Sequence, residues 1–266
     1  MSEPAGNPSA GDCDYAGWVD ALTRHLKLRT IPIGMKRFKT RAEMEAIPSI
    51  RRPRAKMTFD QIVGQARLVG YTVGVTYEDL IGSQCGTPIG LHPRNEQFLA
   101  GSHMVGVWYG TAEDAAAHQA AMDVAADDLY EAVAVSPLAS GRLDPPEICL
   151  IYGTPGQMIF FVNGLQYTGY RKLQFSCVGE SACADSWGRA LKTGEPSLSI
   201  PCFAERRFGG VADDELLMAL PPRFLPKVIE GLEHLGKNGF RYPFSPWGIQ
   251  ASPVESFRIS YPDRKF

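Results

Sequence analysis

At 266 residues, with 44% hydrophobic and 21% charged side chains, the chain has the composition of a folded globular protein and the length to bury a core without covalent staples. A formal net charge of −2 excludes the basic footprint of a nucleic-acid or anionic-membrane binder, and no apolar run approaches the roughly 18 residues of a spanning helix. The opening MSEPAGNPSAGD is small and polar without a signal peptide's basic and apolar regions, which predicts a cytoplasmic protein with a disordered tail over 1–13 and one domain over 14–266.

Apolar residues at Trp18, Leu22 and Leu26 predict an amphipathic helix over 14–28, and the alternating TIPIGMKRF after it predicts a strand. The basic, proline-containing stretch 40–56 reads as a loop over the surface or over a site. Thr58 caps a helix over 58–69 that Gly64 weakens, and YTVGVTY at 71–77 reads as a strand. MVGVWY at 104–109 predicts another strand, and Thr111 opens an alanine-rich helix over 112–126. AVAVSPL is a strand, and EICLIYG, apolar throughout, is a central one. Pro155 suits the first turn of a helix over 155–166. LQFSCVG, SLSIPCF and ELLMALPP read as strands, with helices over 181–192 and FLPKVIEGLEHL, the latter ending near Gly236. In the aromatic tail, FRISY is a candidate last strand. The pattern predicts an α/β or α+β fold, a mixed sheet flanked by helices.

Six cysteines in a cytoplasmic chain are not a disulfide framework. Taken singly, each reads as a buried structural thiol, and Cys149 within EICLIYG fits that role. Cys13 in the polar tail reads as incidental. Cys85 (SQCGTPIGL), Cys183 (VGESACADSW) and Cys202 (SIPCFAERRFGG) differ, because each sits in a Gly- or Pro-containing segment at an element end. Thiols placed so can meet at one metal or cluster. Cys177 lies just before Cys183 and is a further candidate ligand.

The strings PIGMKRF, AR, EDLIGSQCGTPIGL, VSPL, DPPEICLIYGTPGQM, SACADSW and SLSIPCFAERRFGGVADDELLMALP, in this order, resemble the DUF169 family over roughly residues 17–235. The resemblance implies a cytoplasmic fold and recurrent cysteines at Cys85, Cys183 and Cys202, but no established activity. The family's Cys-to-Arg segment corresponds to Cys202 through Arg206 or Arg207. Many members carry a further cysteine where this chain has Thr58 or Phe59. A four-cysteine site would therefore lack one ligand here, leaving Cys177 as substitute or one position open.

Three thiolates suit a [4Fe–4S] cluster with an open coordination site, or zinc, although the spacing matches neither a CxxC knuckle nor a ferredoxin run. Arg206 or Arg207 would lower a thiol pKa or pair with a substrate carboxylate, against the alternative of surface pairing with Asp213, Asp214 or Glu215. Lys36 is a candidate clamp or general base, and His92 and His103 are weaker candidates for a nitrogen ligand. The TPGQ turn is a helix start whose Gln157 is a candidate to face a site, and no nucleotide-binding glycine motif is present. The resulting expectation is an iron–sulfur lyase or reductase acting on a small organic acid or aromatic substrate, with self-association open. The alternatives are a non-catalytic metal, cofactor or small-molecule binding protein, and a metal-free redox-active thiol protein.

Overall fold

The computed structural model describes residues 13–82, 84–125 and 129–244. A six-stranded sheet forms its middle layer, built from β1 (Ile33–Phe38), β2 (Val73–Thr76), β3 (Ala132–Pro137), β4 (Ile148–Gly153), β5 (Ser197–Ser199) and β6 (Leu216–Leu220). Their order is β2-β3-β1-β4-β6-β5, and every pairing between them is antiparallel. Parallel pairing is confined to isolated bridges such as Arg51 with Val73. The protein is thus an α+β domain. β4 is central as its sequence predicts, pairing with β1 and β6, and all six of its residues are buried. It is apolar on both sides because both faces of the sheet are covered.

Register assigns the two faces. Ile33 and Met35 lie across from Leu150 and Val135, and together with Val73, Tyr152 and Leu217 they form one core beneath Phe59, Ile62 and Trp187. On the opposite face Cys149, Ile151, Met218 and Leu220 pack against α1 (Tyr15–Leu26), α6 (Pro155–Gln166) and α9 (Leu225–Lys237). α6 and α9 cross at glycines, since a Cβ on Gly164 would lie 2.7 Å from the Val228 carbonyl oxygen. Gln157 is consumed by this layer. It completes the capping box of Thr154, and its Nε2 donates at 2.9 Å to the orphan carbonyls of Leu26 and Lys27. It therefore faces no site.

On the first face the helices are short: α3 (Phe59–Gly64), α4 (Glu96–Ala100), α5 (Ala112–Ala121), α7 (Arg189–Thr193) and α8 (Phe203–Arg207). Two π-helical turns, Gln65–Val69 and Ala184–Gly188, continue α3 and precede α7. Three expectations need correction. The 40–56 stretch contains α2 (Arg41–Glu45), capped by Thr40. MVGVWY is not a strand: Gly106 takes φ 75°, and the N–H groups of Trp108 and Tyr109 curl back onto the Met104 carbonyl. LQFSCVG also forms no strand, because β6 takes β5 as its edge partner and Gly179 breaks the run with φ 88°. α9 runs through Gly236 to Lys237, and the left-handed turn falls at Gly239. FRISY lies outside the described residues, as does the predicted tail except Cys13.

Candidate functional site: a thiol and carboxyl cleft

Cys85, Cys183 and Cys202 come together on the short-helix face. Cys85 lies in the loop beyond β2, Cys183 opens the Ala184–Gly188 π-turn, and Cys202 is the N-cap of α8. Cys85 and Cys202 line a cleft of about 200 Å³. Cys183 is fully buried behind it, with its thiol in hydrogen-bonding contact with that of Cys85 and close enough to Cys202 to feel its charge. π-turns beside functional groups are a recurring device for displacing a side chain from its helical position.

Two carboxyl groups that the sequence reading did not single out share the site. Asp60, in the first turn of α3, is 2% exposed and places Oδ2 3.9 Å from the Cys85 sulfur, while its Oδ1 has no hydrogen-bond partner. Glu205 is 1% exposed; its Oε2 accepts from the Cys202 backbone N–H at 3.0 Å, and its Oε1 is unpartnered. Cys202 and Glu205 form a capping box with sulfur in the place of a hydroxyl. That C-x-x-E spacing was a readable signal. Asp60 had none, because an acid in a helix's first turn is ordinary.

Glycines let these elements approach. A Cβ at Gly64 would lie 2.9 Å from the Gly209 carbonyl oxygen, and one at Gly209 would lie 2.7 Å from that of Glu205 and 3.1 Å from that of Asp60. Arg67, at the end of the same helical segment, locks the contact. Its guanidinium donates to the carbonyl oxygens of Gly209 and Gly210 at 3.3 and 2.6 Å and to Glu215 Oε2 at 3.0 Å, and it lies over the Tyr152 ring. On the other side Gln84 Nε2 donates to Ser181 Oγ at 2.6 Å and Gln119 Oε1 at 2.8 Å, tying the Cys85 loop to the Cys183 turn and α5.

Burial dominates the electrostatics. It pushes Asp60 up to about 6 against partial relief from its own backbone N–H and the Cys85 thiol. Burial and then the neighbouring Asp60 push Glu205 up to about 8. The contact with Cys85 pulls the Cys183 thiol down, but burial together with the neighbouring Cys202, Asp60 and Glu205 outweighs it, and the group rests at about 11. The contact with Cys183, then burial, raises Cys85, and burial raises Cys202. Among the described residues no lysine or arginine lines the cleft. Arg206 eases Glu205 only slightly against burial, so acids predominate and the thiols stay protonated unless a cation replaces the protons.

The other candidates lie elsewhere. Lys36 is on the opposite face of β1 from Met35, reaching the Asp144 carbonyl at 3.4 Å. Arg206 Nε donates to the Pro201 carbonyl at 3.1 Å and its Nη1 to that of Ala212, so it braces the α8 loop instead of pairing with Asp213, Asp214 or Glu215. Arg207 is exposed and does not line the cleft, and Asp214 and Glu215 pair with Arg29 and Arg67. Cys177 is exposed and outside the cleft. His103 lines the cleft, whereas His92 stacks on Tyr77. His118 is buried and bonded to the Glu180 carbonyl at 2.8 Å.

Among the described residues, no three Cys, His, Asp or Glu side chains stand as a ready-made ligand group for a metal ion. By chemistry the donors fit a soft centre: two thiols lining the cleft, a third buried behind it, and two unpartnered buried carboxyl oxygens. No helix among the described residues is long and apolar enough to cross a membrane.

A family model, DUF169, described as uncharacterised ArCR, matches residues 21–231. An uncharacterised protein of Methanocaldococcus jannaschii, MJ0308, is 27% identical over 109 residues, covering 41% of this chain and 46% of that protein. The chain thus aligns with a little under half of that relative's length. No solved structure matches.

Proposed function

Since the chain belongs to the DUF169 family, whose description carries no activity, we propose from its site that it is a cytoplasmic metal-centre enzyme, with Cys85, Cys183 and Cys202 as the ligands of a [4Fe–4S] cluster. The observation that carries the reading is the meeting of three thiols from distant segments at one acid-lined cleft, Cys85 and Cys202 in its lining and Cys183 behind, with no lysine or arginine among the described lining residues. A cluster held by three thiolates supplies an iron with a free coordination position, suited to Lewis-acid or electron-donor chemistry of the lyase or reductase kind. Zinc in the same thiolates is the alternative centre.

The protein's own part is to hold the thiols, to screen them from water and to orient a small molecule. Arg206 and Arg207 do not line the cleft, so neither is placed to receive a substrate carboxylate. Between the organic acid and the aromatic substrate, the apolar lining supplied by Leu80, Ile81, Met104 and Trp108 favours the aromatic one. A second reading, metal-free thiol redox chemistry, has the contact between Cys85 and Cys183 in its favour. Binding without turnover would use the same cleft.

The test is purification without oxygen, followed by a visible spectrum and measurement of iron, zinc and acid-labile sulfide. A broad cluster absorption with iron and sulfide in equal amounts is the expected result. Colourless, metal-free protein in which Cys85 and Cys183 cross-link on mild oxidation would replace it with the thiol reading.

A further inference from the structure

The cleft has a floor, walls and a mouth, and each points to the same ligand chemistry. At the floor lies Asp60, almost fully buried, with an oxygen that no protein group satisfies. Unmet buried acceptors are rare and costly in folded proteins, so a donor from a ligand is the natural partner for this one. Glu180, half-buried, adds a second carboxyl to the lining, and its Oε2 accepts from the Phe203 N–H at 3.4 Å. The walls are Phe59, Leu80, Met104 and the aliphatic side chain of Ile81.

At the mouth, Trp108 and Phe203 form an aromatic pair with centroids 5.7 Å apart, although they are 45% and 54% exposed. Ile81 is 62% exposed beside them. Large apolar side chains grouped at the rim of a concave site mark a binding surface. A volume of about 200 Å³ admits a single ring with a short substituent. A carboxylate ligand would meet Asp60 and Glu180, with no lysine or arginine among the described lining residues to offset them. Thiolates that hold a divalent centre add further negative charge. An ammonium group, in contrast, would pair with the carboxyl floor while its apolar body contacts the indole, where cation–π attraction also operates.

We infer that the cleft recognises a small organic cation, an amine on an aromatic or bulky apolar body, with Asp60 receiving the ammonium and Trp108 covering the ring. This rests on the cleft being the working site proposed above and names the class of molecule it takes. It does not depend on which metal, if any, the thiols hold.

The experiment compares three molecules of one shape, benzylamine, benzyl alcohol and benzoate, by calorimetry and tryptophan fluorescence near neutral pH, on protein whose metal content is measured in the same sample. Benzylamine is expected to bind roughly tenfold or more tightly than benzyl alcohol, the gain of a charge-assisted hydrogen bond, and benzoate least. Asp60→Asn should erase the preference for the amine over the alcohol, and Trp108→Ala, at an exposed position, should weaken both. Benzoate binding as well as the amine, or the alcohol matching it, overturns the inference, whether or not Asp60→Asn folds. Metal-free protein that still prefers the amine would sink the metal reading alone, and metal-loaded protein that prefers benzoate would sink this inference alone.

Discussion

The two faces of the sheet are built to different rules. One is covered by α1, α6 and α9, of 12, 12 and 13 residues, whose contact with the sheet is apolar throughout. The other carries helices of five or six residues near the cleft, two π-turns, and the buried charged groups Asp60, Arg67, Glu205 and Glu215. Long regular helices bury area with most backbone groups satisfied internally, and supply stability. Short interrupted ones place side chains at the cost of buried polar groups, which is the usual trade at a functional site. Here the long-helix face lends stability to the face that carries the buried polar groups and the cleft.

The largest way to break that division is at the buried pair. Glu215→Ala strands the Arg67 guanidinium, which is fully buried, and should cost about 3–5 kcal/mol in chemical denaturation. It should also loosen the α8 loop, with loss of cleft binding in whatever folded protein remains. A cost below about 1 kcal/mol would mean that Arg67 is held by the Gly209 and Gly210 carbonyls alone.

The acids give the next effect. Glu205, raised from 4.5 to about 8, and Asp60, raised from 3.8 to about 6, hold their protons more tightly in the folded than in the unfolded chain. Their contribution is fully present below the unfolded values and is lost as pH rises through the folded ones. Metal-free protein should therefore lose stability between about pH 4.5 and 8, by up to about 1.4 kcal/mol per pH unit for each group titrating. Glu205→Gln should flatten the upper part of that profile, and an unchanged slope would contradict the burial of an uncompensated acid.

The glycines sharpen the comparison. Gly64→Ala and Gly164→Ala each force a Cβ against a backbone carbonyl, at 2.9 and 2.7 Å, and each should cost about 1–3 kcal/mol. Only Gly64→Ala should also weaken binding at the cleft, because it pushes α3 from α8. Equal effects of both on binding would show the two faces to be coupled. The smallest effect belongs to Lys36→Ala, which should stay within about 0.5 kcal/mol and leave metal content and ligand binding unchanged.

The regular face was nearly all legible in the sequence. The spacing of Trp18, Leu22 and Leu26, Pro155 after Thr154, and the apolar EICLIYG each predict the element that forms, because local periodicity and caps agree with the burial they meet. The site was legible only in part. Cys85, Cys183 and Cys202 stood out by their place at element ends, and the fold brings them together. Asp60 did not, because a carboxyl in a helix's first turn looks the same whether it faces water or a neighbouring helix, and Glu205 was missed although its C-x-x-E spacing marked it. Arg206, Arg207 and Lys36 were drawn in by charge and nearness in sequence, but backbone carbonyls take up Arg206 and Lys36, and Arg207 is exposed. MVGVWY and LQFSCVG alternate like strands, yet positive-φ glycines at 106 and 179 interrupt or end the runs, and neither joins the sheet.

The most direct measurement is metal and acid-labile sulfide content in anaerobically purified Cys→Ser variants at positions 85, 177, 183 and 202, with circular dichroism confirming the fold of each. The account predicts that Cys85→Ser, Cys183→Ser and Cys202→Ser each lose most of the metal, while Cys177→Ser, exposed and away from the cleft, keeps it. Full metal content in both Cys85→Ser and Cys202→Ser, or none in the unmodified protein, would contradict a shared thiolate centre.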